Sequence, residues 1–202
     1  MPNDCRELSD KAVELIEGSS SFAGMLNADV AISVGYLVRS INCYYSNLIE
    51  GHDTHSTDIE RALREDFDAS TEKRDLQKEA KAHIEVQGLI DRGEAPHRAL
   101  SKEFALWTHK EFCERLPKCM LWAENPDTDE LLPVVPGMFR ETSVQVGRHI
   151  APDHRDIEKL LARFEDAYDP SLHSRVRQII SVAAAHHRFA WIHPFIDGNG
   201  RV

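Results

Sequence analysis

The nine-residue run HPFIDGNGR at positions 193–201 restricts the fold of this chain more than any other part of its sequence. Apolar residues precede the run at helical spacing, and Pro194 disfavours continuation of that helix. Gly198 and Gly200 flank Asn199, and glycines at these positions let successive backbone N–H groups point toward one anion. The run therefore predicts a helix that ends in an anion-binding loop.

The side chains of this run supply what phosphate chemistry needs. Arg201 adds a planar cation that suits phosphate oxygens. Asp197 offers the single carboxylate that Mg²⁺ typically takes from protein when nucleotide phosphates provide its other ligands. His193, with an unperturbed pKa of about 6.5, can accept a proton from an attacking hydroxyl at neutral pH. The run predicts a base, a metal ligand and an anion cradle in one loop.

Helical periodicity covers most of the remaining chain and predicts a mainly α-helical protein. Apolar spacing predicts helices near residues 8–16, 34–48, 73–91, 97–116, 157–164 and 173–192. In the second of these, the apolar stripe that predicts the buried face consists of Val34, Leu37, Val38, Ile41, Tyr45 and Leu48. Gly18 and Gly51 follow the first two stripes, so we expect both to be left-handed C-caps.

Two segments depart from the helical pattern. Residues 123–137, which include Asn125, Pro126 and Asp127, predict a turn-rich connection. Apolar residues that bracket a polar stretch within 139–146 predict a short β-hairpin. The sequence thus predicts one small β element within a helical protein.

Charge and composition exclude several classes of protein. The 24 basic and 34 acidic residues give a formal charge of −10, which opposes long-range attraction to nucleic acid or anionic membranes. No apolar run is long enough for a membrane span, and charged residues crowd the first 20 positions, so we expect neither a signal peptide nor an anchor. The four cysteines form no CxxC pair, which favours reduced thiols and a cytoplasmic location.

The run at 193–201 matches the signature HPFx[D/E]GNGR of the Fic (Fic/Doc) family at every fixed position. The resemblance extends upstream to His186, Phe189 and Ile192, which have the spacing of the family's motif-bearing helix, and to a hairpin flap over 140–146. It implies a Fic fold, a helical bundle with a small β-hairpin flap. It also implies transfer of AMP from ATP to a hydroxyl of a target protein.

The resemblance assigns roles to residues of this chain. It implies that His193 deprotonates a Ser, Thr or Tyr hydroxyl of the target and that Asp197 holds Mg²⁺. The residues that would cradle the ATP phosphates are Gly198, Asn199, Gly200 and Arg201, and those of the flap that would dock the target are Arg140, Val144 and Val146.

A second match lies at residues 46–51, SNLIEG, which fits the family's inhibitory pattern [S/T]xxxE[G/N]. Ser46 and Glu50 are four positions apart and therefore lie on the same side of a helix. The resemblance implies that Glu50 reaches toward the motif and obstructs placement of the ATP γ-phosphate. A solvated glutamate before a C-cap glycine is the alternative. We accordingly expect a helical segment over 1–70 that carries the inhibitory helix, followed by a Fic core over 71–202.

The chain departs from the family pattern at its end. The pattern continues as GNGRxxR, whereas this sequence stops at Val202, so the resemblance implies a fragment that ends inside the active site. Removal of AMP from a modified protein, transfer of another nucleotide, and nucleotide binding without turnover are rival functions. The expected partners are ATP, Mg²⁺ and a protein substrate, with no membrane and no nucleic acid bound by this segment. A homodimer is an assembly that the sequence leaves open.

Overall fold

A computed structural model describes residues 5–52, 54–124 and 130–202. The helices are α1 (Arg6–Met25), α2 (Ala28–Ile49), α3 (Ser56–Leu63), α4 (Thr71–Asp91), α5 (Lys102–Cys113), α6 (Ile157–Tyr168) and α7 (Arg175–Ile192). Two antiparallel hairpins pair β1 (Trp122–Glu124) with β2 (Leu131–Pro133) and β3 (Gln145–Val146) with β4 (His149–Ile150). The prediction of a mainly α-helical protein with a small hairpin is confirmed.

The helices pack as a series of neighbours. Helix α1 lies on α7, α7 on α6, α6 on α5, and α5 on α4, which also contacts α2 and α3. The apolar cluster between α6 and α7 consists of Ile157, Leu161, Phe164, Tyr168, Ala185 and Ile192. Burial of each large apolar side chain contributes about 1.5–3 kcal/mol. This cluster therefore fixes the helix that leads into the run at 193–201.

The two glycines that were expected to end helices behave differently. Gly51 directly follows Glu50, the C-cap residue of α2, and has φ +78°, so it is the left-handed glycine that the sequence predicts at this helix end. Gly18 lies inside α1, which continues to Met25, so its assignment as a C-cap is wrong. A glycine inside a helix costs only about 1 kcal/mol relative to alanine, so it does not by itself end a helix.

Helix α2 packs through a different face from the one that its apolar stripe predicts. The buried residues of α2 are Cys43 and Asn47, and the Cys43 thiol contacts the carbonyl of Ala80 on α4. Residues of the stripe remain exposed, including Leu37 at 58% and Tyr45 at 58%. The periodicity identified the helix correctly but not the side that contacts α3 and α4.

The β elements also differ from the prediction. The predicted hairpin at 139–146 is displaced to β3–β4, where Gly147 has φ +59° in the turn. Apart from Trp122, the β1–β2 hairpin lies within the predicted turn-rich connection, of which Asn125, Pro126 and Asp127 are outside the described residues. Strands of two or three residues are too short for an alternating pattern to be recognised.

The helix predicted over 97–116 is shorter in the structure, because the Ser101 hydroxyl accepts a hydrogen bond from the Phe104 N–H and sets the start of α5. Helix α3, which has only eight residues, was not predicted from the sequence. In the described part of the chain, no helix combines the length and the apolar character that a membrane span requires.

Candidate functional site

His193 lies at the end of α7 in a left-handed conformation with φ 50° and ψ 62°. Its N–H donates to the Phe189 carbonyl at 3.0 Å. Its own carbonyl accepts a hydrogen bond from Arg140 Nε at 2.7 Å, and the Arg140 N–H donates to the Pro194 carbonyl at 2.9 Å. Contacts on both sides of the peptide thus hold His193 in a conformation that few non-glycine residues adopt.

Arg140 does not face the surface where a target would dock. Its residue is 2% exposed, and the guanidinium also donates to the carbonyls of Thr142 at 2.8 Å and Pro152 at 2.6 Å. Burial lowers the pKa of Arg140 from its usual value. The placement of Arg140 in the docking surface is therefore corrected, because its guanidinium is committed to carbonyls beneath the flap. Val144 is half-buried before β3, and Val146 in β3 is 49% exposed.

The surroundings of His193 favour the neutral form of its imidazole. Burial lowers the pKa of His193, and the charges of Arg140 and His149 act in the same direction, whereas a hydrogen bond to the Ala190 backbone and the charge of Asp197 raise it. His149 belongs to β4, and its Nε2 lies 2.8 Å from the Trp191 carbonyl, which links the hairpin to the end of α7. A neutral imidazole at pH 7 can accept a proton.

The loop after His193 is held together by the side chain of Asn199. Its Oδ1 accepts a hydrogen bond from the Phe195 N–H at 2.9 Å, and its Nδ2 donates to the Phe195 carbonyl at 3.0 Å. Gly198 has φ +79°, and the Arg201 N–H donates to the Gly198 carbonyl at 3.0 Å. The Asn199 amide group is thus committed to the loop, so only its backbone remains for an anion.

His109 on α5 packs against the loop and supports it. The sequence did not predict this role for His109. Its ring stacks on Phe195 with centroids 3.9 Å apart. Its Nδ1 accepts a hydrogen bond from the Gly137 N–H at 2.9 Å, so the proton lies on Nε2, which donates to the Asp197 carbonyl at 3.2 Å. Burial lowers the pKa of His109 to about 4, which keeps this arrangement neutral.

The end of α2 meets this loop. A Cβ atom on Gly200 would overlap Oε1 of Glu50, so the Glu50 carboxylate lies directly against the loop. The Ser46 hydroxyl donates to the Gly200 carbonyl at 3.4 Å and accepts from Arg201 Nη1 at 3.0 Å. The structure therefore brings the two motifs together, although they are far apart in the sequence.

Arg201 is engaged by a second group that the sequence did not predict. Its Nη2 donates to Oε1 of Glu79 on α4 at 2.8 Å, and the side chains are 4% and 5% exposed. The other carboxylate oxygen of Glu79 lies 2.7 Å from Nδ1 of His52. No sequence pattern indicated Glu79 or His52, because only the packing of α4 against α2 places them beside the loop.

A cavity of about 220 Å³ opens beside the loop. Its polar side includes Glu50, Glu79 and Asp197, and its apolar side includes Phe112 and Trp122. Among the described residues, no group of three or more His, Cys, Asp and Glu side chains could hold a metal ion. Asp197 is exposed and can offer one carboxylate, which fits Mg²⁺ bound mainly through phosphate oxygens.

The sequence profile described as the Fic/DOC family matches residues 99–202. A protein named "Protein adenylyltransferase Fic" from Drosophila willistoni is 42% identical over 69 residues, and its namesake from Drosophila melanogaster is 41% identical over the same length. Each alignment covers 34% of this chain and 14% of the relative. The chain therefore spans only a small part of the curated relatives that it matches.

Two solved structures have a similar fold. A Fic family protein from Desulfovibrio desulfuricans G20 matches with a TM-score of 0.68 and 18% identity, over 99% of this chain and 56% of that one. A Fic domain containing signaling protein from Bacteroides thetaiotaomicron matches with a TM-score of 0.69 and 16% identity, over 94% of this chain and 68% of that one. At such low identities these likenesses establish the fold alone.

Proposed function

This chain belongs to the Fic/DOC family, and on that premise we propose that it is a protein adenylyltransferase that transfers AMP from ATP to a Ser, Thr or Tyr hydroxyl. The observation that carries the proposal is the meeting of the two motifs, in which Glu50 of α2 lies against Gly200 of the HPFIDGNGR loop. That contact supports a nucleotide site that is blocked within one chain.

The proposed reaction needs a base at the end of α7. His193 would accept the proton of the target hydroxyl as its oxygen attacks the α-phosphorus of ATP. The bond from the α-phosphorus to the bridging oxygen breaks, and pyrophosphate leaves with both electrons of that bond. The lowered pKa of His193 supports this role because it favours a neutral imidazole, and the hydrogen bond from Arg140 supports it because it fixes the backbone that carries the imidazole.

The phosphates would bind at the loop that Asn199 holds closed. The backbone N–H groups of Asn199 and Gly200 would face the anion, and the Arg201 guanidinium would join them once released from its present partners. Asp197 would hold Mg²⁺, which neutralises phosphate charge when it is bound. The exposed Asp197 carboxylate and the adjoining cavity support this arrangement.

We expect the basal activity to be low, because the Glu50 carboxylate occupies space and adds negative charge where phosphates would approach. Ser46 strengthens this block by binding both Gly200 and Arg201. In our proposal, residues 1–70 form the inhibitory segment and residues 71–202 the catalytic core. The β3–β4 hairpin would pair with the target backbone, with Val144 and Val146 as its docking residues.

The four cysteines of the chain are free thiols, which supports the proposed cytoplasmic location. Homodimer formation remains a prediction.

The experiment is transfer of α-labelled ATP by the intact natural protein onto itself and onto lysate proteins. Three forms are compared: the wild type, Glu50→Gly, and Glu50→Gly combined with His193→Ala. We expect strong label with Glu50→Gly, little with the wild type and none with the double variant. Unchanged transfer in Glu50→Gly would contradict inhibition by Glu50. No label in any form would redirect the proposal to another nucleotide, to removal of AMP, or to binding without turnover.

A further inference from the structure

Arg201 and Glu79 form an ion pair that is almost completely removed from solvent. Nη2 of Arg201 lies 2.8 Å from Oε1 of Glu79, and their side chains are 4% and 5% exposed. Charges that lie this close in a buried setting interact far more strongly than a surface pair does. The cation that the proposed function assigns to phosphate is thus already paired with a carboxylate of the same chain.

The Glu79 carboxylate is held from two sides. Arg201 binds its Oε1, while Nδ1 of His52 lies 2.7 Å from its Oε2. The same Nδ1 lies 3.1 Å from Nη2 of Arg201, so His52 contacts both members of the ion pair. Glu79 also lies within the buried face of α4, next to Ala80, which is completely buried. Because the Glu79 side chain is buried, it cannot leave the site by a simple side-chain rotation into solvent.

Glu50 is placed differently. It is the exposed C-cap residue of α2, and Gly51 after it takes up a left-handed turn. Movement at the end of α2 would withdraw Glu50 and break the contact between Ser46 and Arg201, but it would leave Glu79 beside Arg201. The two carboxylates thus differ in how they can be removed from the loop.

We propose, on the basis of the proposed function, that Glu79 competes with nucleotide phosphate for the Arg201 guanidinium and acts as a second inhibitory carboxylate. Glu50 blocks the loop from the movable end of α2. Glu79 neutralises the Arg201 guanidinium from the buried face of α4. Glu79 consequently sets the affinity for nucleotide that remains after Glu50 has been withdrawn.

The competing idea is that Glu79 merely orients Arg201 toward phosphate. The substitution Glu79→Gln separates the two, because glutamine keeps the volume and can still accept from Arg201 Nη2. Competition predicts that loss of the negative charge strengthens phosphate binding. Orientation predicts unchanged or weaker binding. Competition and orientation both predict that Glu79→Gln is less stable than its parent, since Arg201 is left buried without its counter-charge.

The test measures the Kd for MgATP by calorimetry and the Tm without ligand, using the intact natural protein that carries Glu50→Gly. Addition of Glu79→Gln should lower the Kd roughly tenfold or more while the Tm falls, because a close buried charge opposes the phosphates. The matched control is Glu85→Gln, which removes the same charge from the same helix at a position that pairs with Lys81 and Arg115 instead. That control should leave the Kd unchanged.

An unchanged or higher Kd with Glu79→Gln would overturn the inference, and so would an equal decrease with Glu85→Gln. If Glu79→Gln does not fold, Glu79→Asp retains the charge but retracts it from Arg201, and a smaller decrease in Kd is expected. No decrease with a folded Glu79→Asp would overturn the inference in that case. AMP transfer is measured in parallel, so a tighter Kd without transfer would refute the proposed function and leave the competition at Arg201 intact.

Discussion

Replacement of Asn199 by alanine tests whether its side chain is a structural element of the loop. Asn199 is 8% exposed, and its amide group makes hydrogen bonds of 2.9 and 3.0 Å to the N–H and the carbonyl of Phe195, which is completely buried. Asn199→Ala would leave both backbone groups of Phe195 without these partners.

The expected cost follows from the burial of those two groups. An unsatisfied buried donor or acceptor costs about 1–3 kcal/mol, so the loss of both partners in Asn199→Ala should lower the free energy of unfolding by about 2–6 kcal/mol. In a protein of this size, a loss of about 3 kcal/mol lowers the Tm by about 6–12 °C. Urea unfolding followed by circular dichroism measures the loss as a change of midpoint at constant slope.

The matched control is the same substitution at Asn42, an exposed residue on α2 whose amide makes one long contact to Gln87 at 3.4 Å. Asn42→Ala should change the free energy of unfolding by no more than about 0.5 kcal/mol. If Asn199→Ala were as mild as Asn42→Ala, the argument that Asn199 holds the loop closed would be refuted.

Two further predictions concern groups around the loop. Burial, aided by the charge of Arg201, lowers the pKa of His83 to about 4, so below pH 6.5 the unfolded chain takes up a proton that the folded chain refuses. The free energy of unfolding should therefore fall by up to about 3 kcal/mol between pH 6.5 and 4, and His83→Leu should remove that part of the fall in urea titrations. An equally steep pH dependence in His83→Leu would contradict this. Gly200→Ala should destabilise the wild type, because its Cβ would overlap the Glu50 carboxylate, and should be tolerated in Glu50→Gly, with a coupling of about 1 kcal/mol in thermal unfolding. Equal costs in both backgrounds would exclude that contact.

The sequence predicted the parts of the site that depend on local order. The loop at 193–201 follows from its glycines and from the helix before it, and Ser46 and Glu50 share a helix face through their spacing alone. His109 and Glu79 could not be predicted in this way. Each lies within an ordinary helix, and only the packing of α4 and α5 brings it to the loop, a long-range effect that no local spacing encodes.

The fold shows the same division between local and long-range effects. Apolar spacing indicated α2 because a repeat near 3.6 residues is a property of one segment. The side of α2 that became buried depended on α3 and α4, and it contains Cys43 and Asn47 instead of the apolar stripe. The positions of the short strands were not predicted for another reason. Two or three residues carry too little pattern to distinguish a strand from a turn.

The charged groups of the loop differ in how far they are committed to other parts of the chain. The carboxylate of Asp197 is exposed and lines the cavity, whereas the Arg201 guanidinium is bonded to Ser46 and Glu79. A phosphate that binds Arg201 must therefore replace contacts that also attach α2 to the loop. Binding and detachment are then linked, and the linkage is reciprocal. Any change that loosens α2 should strengthen nucleotide binding, and bound nucleotide should in turn loosen α2 by the same free energy.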